Sequence, residues 1–148
     1  LGCILLTFLY FNWSPAKIFM GDSGSLFIGI FFCIFTLLVI QKKYVDISTI
    51  LIIFSYPITE TSATLIIRAF LGQNWQKTHR SHGYQNLARI WKSHSKITIC
   101  LIFYQLILIL PLSIISLFYS ELSYYLALIS ISLSFMFVYK YGPRLSLE

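Results

Sequence analysis

Long apolar segments alternate with short polar stretches along the chain. The hydrophobic runs predict transmembrane helices at about 1–11, 26–40, 47–71, 97–119 and 122–139. The run 26–40 carries no charged residue over its 15 positions, or about 22 Å as a helix, and its flanks bring it near the thickness of a hydrocarbon core. The pattern therefore predicts an all-α, polytopic integral membrane protein with about five spans.

The third run, 47–71, departs from this simple pattern because it contains a proline and two ionisable residues. Pro57 cannot donate a helical hydrogen bond, so we predict a kink near it. Glu60, Thr64 and Arg68 recur every four positions and therefore share one helix face. Two interpretations remain open: a Glu60–Arg68 pair braces the kinked helix, or the polar face lines a substrate cleft.

Composition supports a lipid bilayer as the solvent of most side chains. Hydrophobic residues make up 57% of the 148-residue chain, charged residues make up 11%, and the mean hydropathy is +0.78. A net charge of +6 would suit nucleic acid, but the basic residues lie in the loops instead of forming one basic face. This distribution argues against a nucleic-acid partner.

The same loops indicate the orientation of the chain in the membrane. When successive loops alternate between the two sides, nine basic residues fall on one side and two, Lys42 and Lys43, on the other. The nine are Lys17, Arg68, Lys77, Arg80, Arg89, Lys92, Lys96, Lys140 and Arg144. The more basic side is predicted to be cytoplasmic, which places the loops 12–25 and 72–96 there together.

The first of these loops holds a single carboxylate among small residues. Asp22 is surrounded by Gly21, Ser23, Gly24 and Ser25, at the expected N-terminus of the next helix. Free N–H groups at such a helix end attract phosphate, and a carboxylate there can hold the divalent cation that accompanies a diphosphate. The alternative is an aspartate that only caps the helix.

The second loop contains the segment HRSHGYQ. Its Arg80 offers a planar fork to two phosphate oxygens, and His79 and His82 can donate hydrogen bonds or carry charge near neutral pH. These residue types suit recognition of a diphosphate. A surface turn, a zinc site with His79 and His82 as two ligands, and a basic surface that binds anionic lipid remain as alternatives, although no cysteine and only the distant His94 could complete a zinc site.

The string FMGDSGSLFIG, preceded by NWSPAKI, resembles the signature of the polyprenyl-phosphate N-acetylhexosamine-1-phosphate transferases, glycosyltransferase family 4 enzymes related to phospho-N-acetylmuramoyl-pentapeptide transferase. The matching residues are Asn12, Pro15, Ala16, Phe19, Met20, Gly21, Asp22, Gly24, Ser25 and Gly29. A later family pattern is matched by Pro57, Glu60, Thr61, Arg68 and Gly72. The chain departs from the family at Tyr84-Gln85, where several branches have consecutive histidines, and at Glu60, where aspartate is common.

This resemblance implies a reaction and a location. An N-acetyl amino-sugar-1-phosphate would pass from a UDP-sugar to undecaprenyl phosphate with release of UMP, at the cytoplasmic face of a bacterial inner membrane. The step would initiate an O-antigen or capsule-like polysaccharide, and HRSHxYQ resembles the branch that uses less common amino sugars. The implied cofactor is Mg²⁺, with Mn²⁺ as an alternative, and a homodimer is a further option.

The resemblance also implies roles for individual residues. Asp22 would be the catalytic Mg²⁺ ligand, and Gly24 and Ser25 would shape the helix end. The remaining substrate-binding residues would be Phe19, stacked on the uracil, and His79, Arg80 and His82, in contact with the diphosphate. Simple packing is the alternative for the phenylalanine.

The family's upstream aspartate pair and Asn-x-x-Asp-Gly segment do not occur in these residues. We therefore expect residues 1–148 to be the C-terminal part of one transferase domain and to be inactive alone. Two other classes stay open: part of a transporter or flippase with Glu60 and Arg68 along its pathway, and a non-catalytic homologue that binds lipid or a partner glycosyltransferase.

Overall fold

A computed structural model describes residues 1–72 and 82–143 of the chain, and the secondary structure of this part is entirely helical. Its elements are α1 (Gly2–Asn12), α2 (Gly21–Gln41), α3 (Ile47–Ile53), α4 (Ser55–Phe70), α5 (Gly83–Ile90), α6 (His94–Tyr104), a π-helical turn (Gln105–Ile109), α7 (Leu110–Phe118), a 3-10 turn (Ser120–Leu122) and α8 (Ser123–Tyr141). The chain forms two compact units, Leu1–Tyr44 and Val45–Glu148.

The predicted all-α membrane fold is confirmed, but the predicted number of spans is too high. Within residues 1–72 and 82–143, three helical stretches are long and apolar enough to cross a membrane: Gly21–Gln41, His94–Phe118 and Ser120–Tyr141. The bent pair of α3 and α4 makes a fourth if it counts as one span. The first predicted span differs because α1 has only 11 residues, about 16 Å of helix, which is shorter than a hydrocarbon core.

In the first unit, α2 begins at Gly21, before the start at residue 26 that hydropathy predicted. Gly21 has φ +67°, a left-handed conformation that glycine adopts without steric cost, and the helix continues from it. The non-helical part of the predicted loop 12–25 is therefore residues 13–20. All 21 residues of α2 lack deep burial, as expected of a helix whose surroundings are lipid or further protein.

The predicted kink is present, and it lies one turn before the proline. Helices α3 and α4 meet at Phe54 with a bend of 74°. Pro57 has no N–H to donate to the carbonyl of Ile53, and its ring crowds that carbonyl, so the helix breaks immediately after Ile53. The bend changes the direction of α4, whose buried face carries the polar residues described below.

The second unit packs around α8, which contacts α3, α4, α5 and α7. Its buried face is made of small residues: Ser123, Ala127, Ser130, Ser134 and Val138. Small side chains let helix backbones approach closely, which is how membrane helices gain packing energy without a hydrophobic driving force between them. A buried hydrogen bond of 2.8 Å between the hydroxyls of Thr49 and Ser116 joins α3 to α7.

The predicted loop 72–96 contains a helix that hydropathy did not indicate. Helix α5 buries Asn86, Leu87 and Ala88, together with its first residue Gly83, while Tyr84, Arg89 and Ile90 are exposed. Leu87 and Ala88 pack with Ile97 of α6, and Phe137 of α8 contacts this cluster. The buried face of α5 therefore packs on α6 and α8, and this packing fixes the position of the helix that directly follows His82.

Candidate functional site

The candidate acidic site lies at the N-terminus of α2. Asp22 is the second residue of the helix, its side chain is exposed, and no side chain caps the helix from Met20. The Ser25 hydroxyl donates a hydrogen bond of 3.0 Å to the Asp22 backbone carbonyl. A carboxylate in the first turn is favoured by the helix dipole by about 0.3–1 kcal/mol, so the sequence forms this helix end easily.

The residues before Asp22 close a short connection. The Asn12 side-chain amide donates a hydrogen bond of 2.8 Å to the Ile18 carbonyl, which ties the end of α1 to the start of the Asp22 turn. Phe19 is 83% exposed, so its ring is accessible rather than packed. A Cβ at Gly24 would overlap the Met20 side chain, which would then have to move. Asp22, Gly24 and Ser25 thus lie in the first turns of α2, and Phe19 directly precedes the N-cap residue Met20.

The metal-binding capacity of this helix end is limited. Within residues 1–72 and 82–143, no group of three or more His, Cys, Asp or Glu side chains is arranged to hold a metal ion. Asp22 therefore belongs to no such group of described side chains, and it offers its own carboxylate as a ligand. That donor set fits Mg²⁺ only as part of a substrate complex, because this ion accepts one or two carboxylates together with phosphate oxygens and water.

A second polar site lies in the other unit, where α4 meets the start of α5. Glu60 is 4% exposed, and its Oε1 accepts a hydrogen bond of 2.6 Å from the Gly83 backbone N–H. The same oxygen lies 3.5 Å from Nδ1 of His82. A carboxylate buried in an apolar helix therefore contacts a backbone donor and an imidazole of the predicted diphosphate-binding segment.

Close packing leaves little freedom at this contact. A Cβ on Gly83 would lie 3.3 Å from Cε1 of Phe137 and 3.4 Å from Oε2 of Glu60. The Asn86 amide donates two hydrogen bonds of 2.9 Å, to the carbonyls of Tyr141 and Gly142 at the end of α8. Helix α5 is therefore attached to α4 at its first residue and to α8 one turn later.

The polar face of α4 is buried, as its four-residue spacing predicts. Glu60, Thr64 and Arg68 are 4%, 2% and 5% exposed. Of the two interpretations, the Glu60–Arg68 brace is not supported, because the ionisable side chain that the Glu60 carboxylate contacts among the described residues is His82, with Nδ1 3.5 Å from Oε1. The carboxylate joins α4 to the histidine segment instead of joining the two halves of a kinked helix.

Two predicted site residues, His79 and Arg80, lie outside the described residues. Sequence reasoning missed the contacts of Glu60 with His82 and Gly83, and it missed Asn86 altogether. A signal for Glu60 was present, since an ionisable group inside an apolar run requires a partner. The identity of that partner depends on how α4 and α5 pack, which no local pattern encodes.

A family model and two curated relatives match this chain, and each of them is named as a transferase. Residues 1–40 match the family model described as Glycosyl transferase family 4. Over 91 residues, 60% of this chain, the sequence is 38% identical to the probable undecaprenyl-phosphate N-acetylglucosaminyl 1-phosphate transferase of Bacillus subtilis (strain 168). Over 24 residues, 16% of this chain, it is 75% identical to the phospho-N-acetylmuramoyl-pentapeptide-transferase of Chlamydia muridarum (strain MoPn / Nigg).

The matched regions are a small part of those relatives. They cover 25% of the Bacillus protein and 7% of the Chlamydia protein, so the chain spans about a quarter or less of each. No solved structure matches the chain significantly.

Proposed function

Because the chain belongs to glycosyl transferase family 4, we propose that it supplies part of a membrane enzyme that transfers an N-acetyl amino-sugar-1-phosphate to undecaprenyl phosphate. The donor is a UDP-sugar and the released product is UMP. The observation that carries the proposal is the match over residues 1–40, which contains the whole Asp22 turn. The name of the Bacillus relative supplies the acceptor and the class of sugar phosphate.

The reaction joins two anionic phosphates. An oxygen of undecaprenyl phosphate attacks the phosphorus that bears the sugar, a new P–O bond forms, and the bridging P–O bond to UMP breaks. Bound Mg²⁺ would neutralise charge on the diphosphate and polarise the phosphorus centre. In the proposal, Asp22 provides a carboxylate ligand for that ion, and the free N–H groups at the start of α2 face the anion.

Other residues of the chain bind the donor and stabilise the leaving group. The exposed ring of Phe19 is free to stack on the uracil base. His82, with His79 and Arg80 beyond the described residues, donates hydrogen bonds to phosphate oxygens as negative charge moves onto UMP. We further propose that the site faces the cytoplasm of a bacterial inner membrane and begins an O-antigen or capsule-like polymer, because a soluble UDP-sugar and the more basic loops are found on that side.

The test is UMP release by the full encoded protein in membranes, with undecaprenyl phosphate, Mg²⁺ and a panel of UDP-sugars. Asp22→Asn should reduce the rate by roughly a hundredfold or more, since a metal site supplies several kcal/mol of charge stabilisation. Asp46→Asn is the matched control, because Asp46 is also exposed and precedes a helix, and asparagine caps a helix equally well.

Three outcomes would contradict the proposal at different levels. Full Mg²⁺-dependent turnover of Asp22→Asn would remove Asp22 from the metal site. Movement of a sugar or lipid across the membrane without UMP release would indicate a transporter. A wild-type protein that binds undecaprenyl phosphate and releases no UMP with any sugar would indicate a non-catalytic relative.

A further inference from the structure

The two oxygens of the Glu60 carboxylate have different surroundings where α4 meets the start of α5. One carboxylate oxygen, Oε1, receives the Gly83 N–H at 2.6 Å and faces Nδ1 of His82 at 3.5 Å. The other oxygen, Oε2, is buried and has no hydrogen-bond partner among residues 1–72 and 82–143. A carboxylate buried inside a membrane unit costs free energy unless it is paired and hydrogen-bonded, so the contacts of Glu60 with the start of α5 need an explanation.

The Gly83 contact gives Glu60 control over where α5 begins. His82 is the N-cap residue of α5, and its own side chain makes no capping hydrogen bond. The carboxylate of Glu60 replaces that cap from a different helix, because it accepts the first N–H of α5. Negative charge at a helix N-terminus is also favoured by the helix dipole. The backbone on both sides of the His82–Gly83 peptide is therefore held against α4.

The His82 ring is restrained from two directions. Nδ1 is buried and lies 3.5 Å from Oε1 of Glu60, a charge-to-ring contact and not a hydrogen bond, while the ring stacks on Tyr84 with centroids 5.8 Å apart and planes 25° apart. The side chain as a whole remains 31% exposed. With Nδ1 turned to the carboxylate, Nε2 is the nitrogen that can reach a ligand.

We propose that Glu60 is a positioning residue for His82: its carboxylate fixes the ring so that Nε2 points toward the phosphate of the nucleotide sugar. The assignment of a phosphate to His82 rests on the proposed function, whereas the orientation of the ring does not. Glu60 itself touches neither substrate nor metal in this proposal.

Glu60→Gln separates the two contacts of the carboxylate. The amide oxygen can still accept the Gly83 N–H, so α5 keeps its cap, but the charge that faces His82 is lost. UMP release should fall by roughly tenfold or more, the usual range when the carboxylate that orients a working histidine is removed. Glu121→Gln is the matched control, because Glu121 lies in the exposed turn before α8.

A double-mutant cycle tells a positioning role from a structural one. If Glu60 acts through His82, the double variant with Glu60→Gln and His82→Ala should be no slower than His82→Ala alone. Losses that multiply in the double variant, or Glu60→Gln turnover equal to wild type, would overturn the proposal.

A second measurement does not need activity. In protein labelled with ¹⁵N-histidine, Glu60→Gln should shift the ring resonances of His82, assigned with His82→Ala, and leave those of the exposed His94 unchanged. An unchanged His82 spectrum would overturn the positioning role even if UMP release were absent. Absence of UMP release with a shifted His82 spectrum would contradict the proposed function alone.

Discussion

Replacing Asn86 should loosen α5 without disturbing the membrane helices. Asn86 is 3% exposed and donates hydrogen bonds of 2.9 Å to the carbonyls of both Tyr141 and Gly142. Each neutral hydrogen bond contributes about 0.5–1.5 kcal/mol net, so Asn86→Ala should cost about 1–3 kcal/mol in the free energy of local opening. That range corresponds to a roughly 5- to 150-fold faster exchange of the α5 backbone amides if exchange proceeds through local opening.

Hydrogen–deuterium exchange of the detergent-solubilised protein measures this change peptide by peptide. Gln85→Ala is the control, because Gln85 is the neighbouring residue and its amide donates to the Tyr84 hydroxyl within α5 instead of to α8. Exchange within α2 should stay at its wild-type rate in both variants. If Asn86→Ala left exchange in α5 unchanged, the hydrogen bonds to the end of α8 would not be what holds this helix, and the geometry assigned to the histidine segment would lose its support.

Two further predictions concern packing. Gly83→Ala should destabilise the second unit by about 1–3 kcal/mol and slow UMP release, because its Cβ would press on Phe137 and Glu60. Gly29→Ala is the control, since a Cβ there meets nothing within 4 Å, and its thermal unfolding should be close to that of the wild type. Thr49→Val should cost about 1 kcal/mol because the Ser116 hydroxyl loses its partner on α3, while adding Ser116→Ala should restore part of the loss; equal melting temperatures for the single and double variants would contradict this reasoning.

The hydropathy pattern predicted the fold class, because the preference of a segment for lipid depends on its residue types alone. A run such as 26–40 has no stable alternative to a helix in lipid, since every backbone polar group must be satisfied within the segment. The helix ends were less predictable. Apolar character begins at Leu26, but the helix begins at Gly21, because its first turn is formed by small polar residues that favour a helix N-terminus.

The kink shows that a local rule can predict both an event and its position. Pro57 removes the hydrogen bond to Ile53, and the break follows that carbonyl directly. The helix α5 was missed for the opposite reason. Its eight residues are too few and too polar for a hydropathy signal, and it owes its position to contacts with α4, α6 and α8 that are distant in the sequence.

The same distinction applies to the candidate site. Asp22, Gly24 and Ser25 are adjacent in the sequence, so their arrangement at one helix end follows from local geometry. Glu60 and His82 are separated by an intervening stretch of chain, and the spacing of Glu60, Thr64 and Arg68 pointed to a pair within one helix. A row of polar residues on a helix says which face is buried, but the partner is chosen by the helix packed against that face. For Glu60 the partner is the start of α5, so the position of His82 depends on a residue 3.5 Å away in space that the histidine segment itself does not contain.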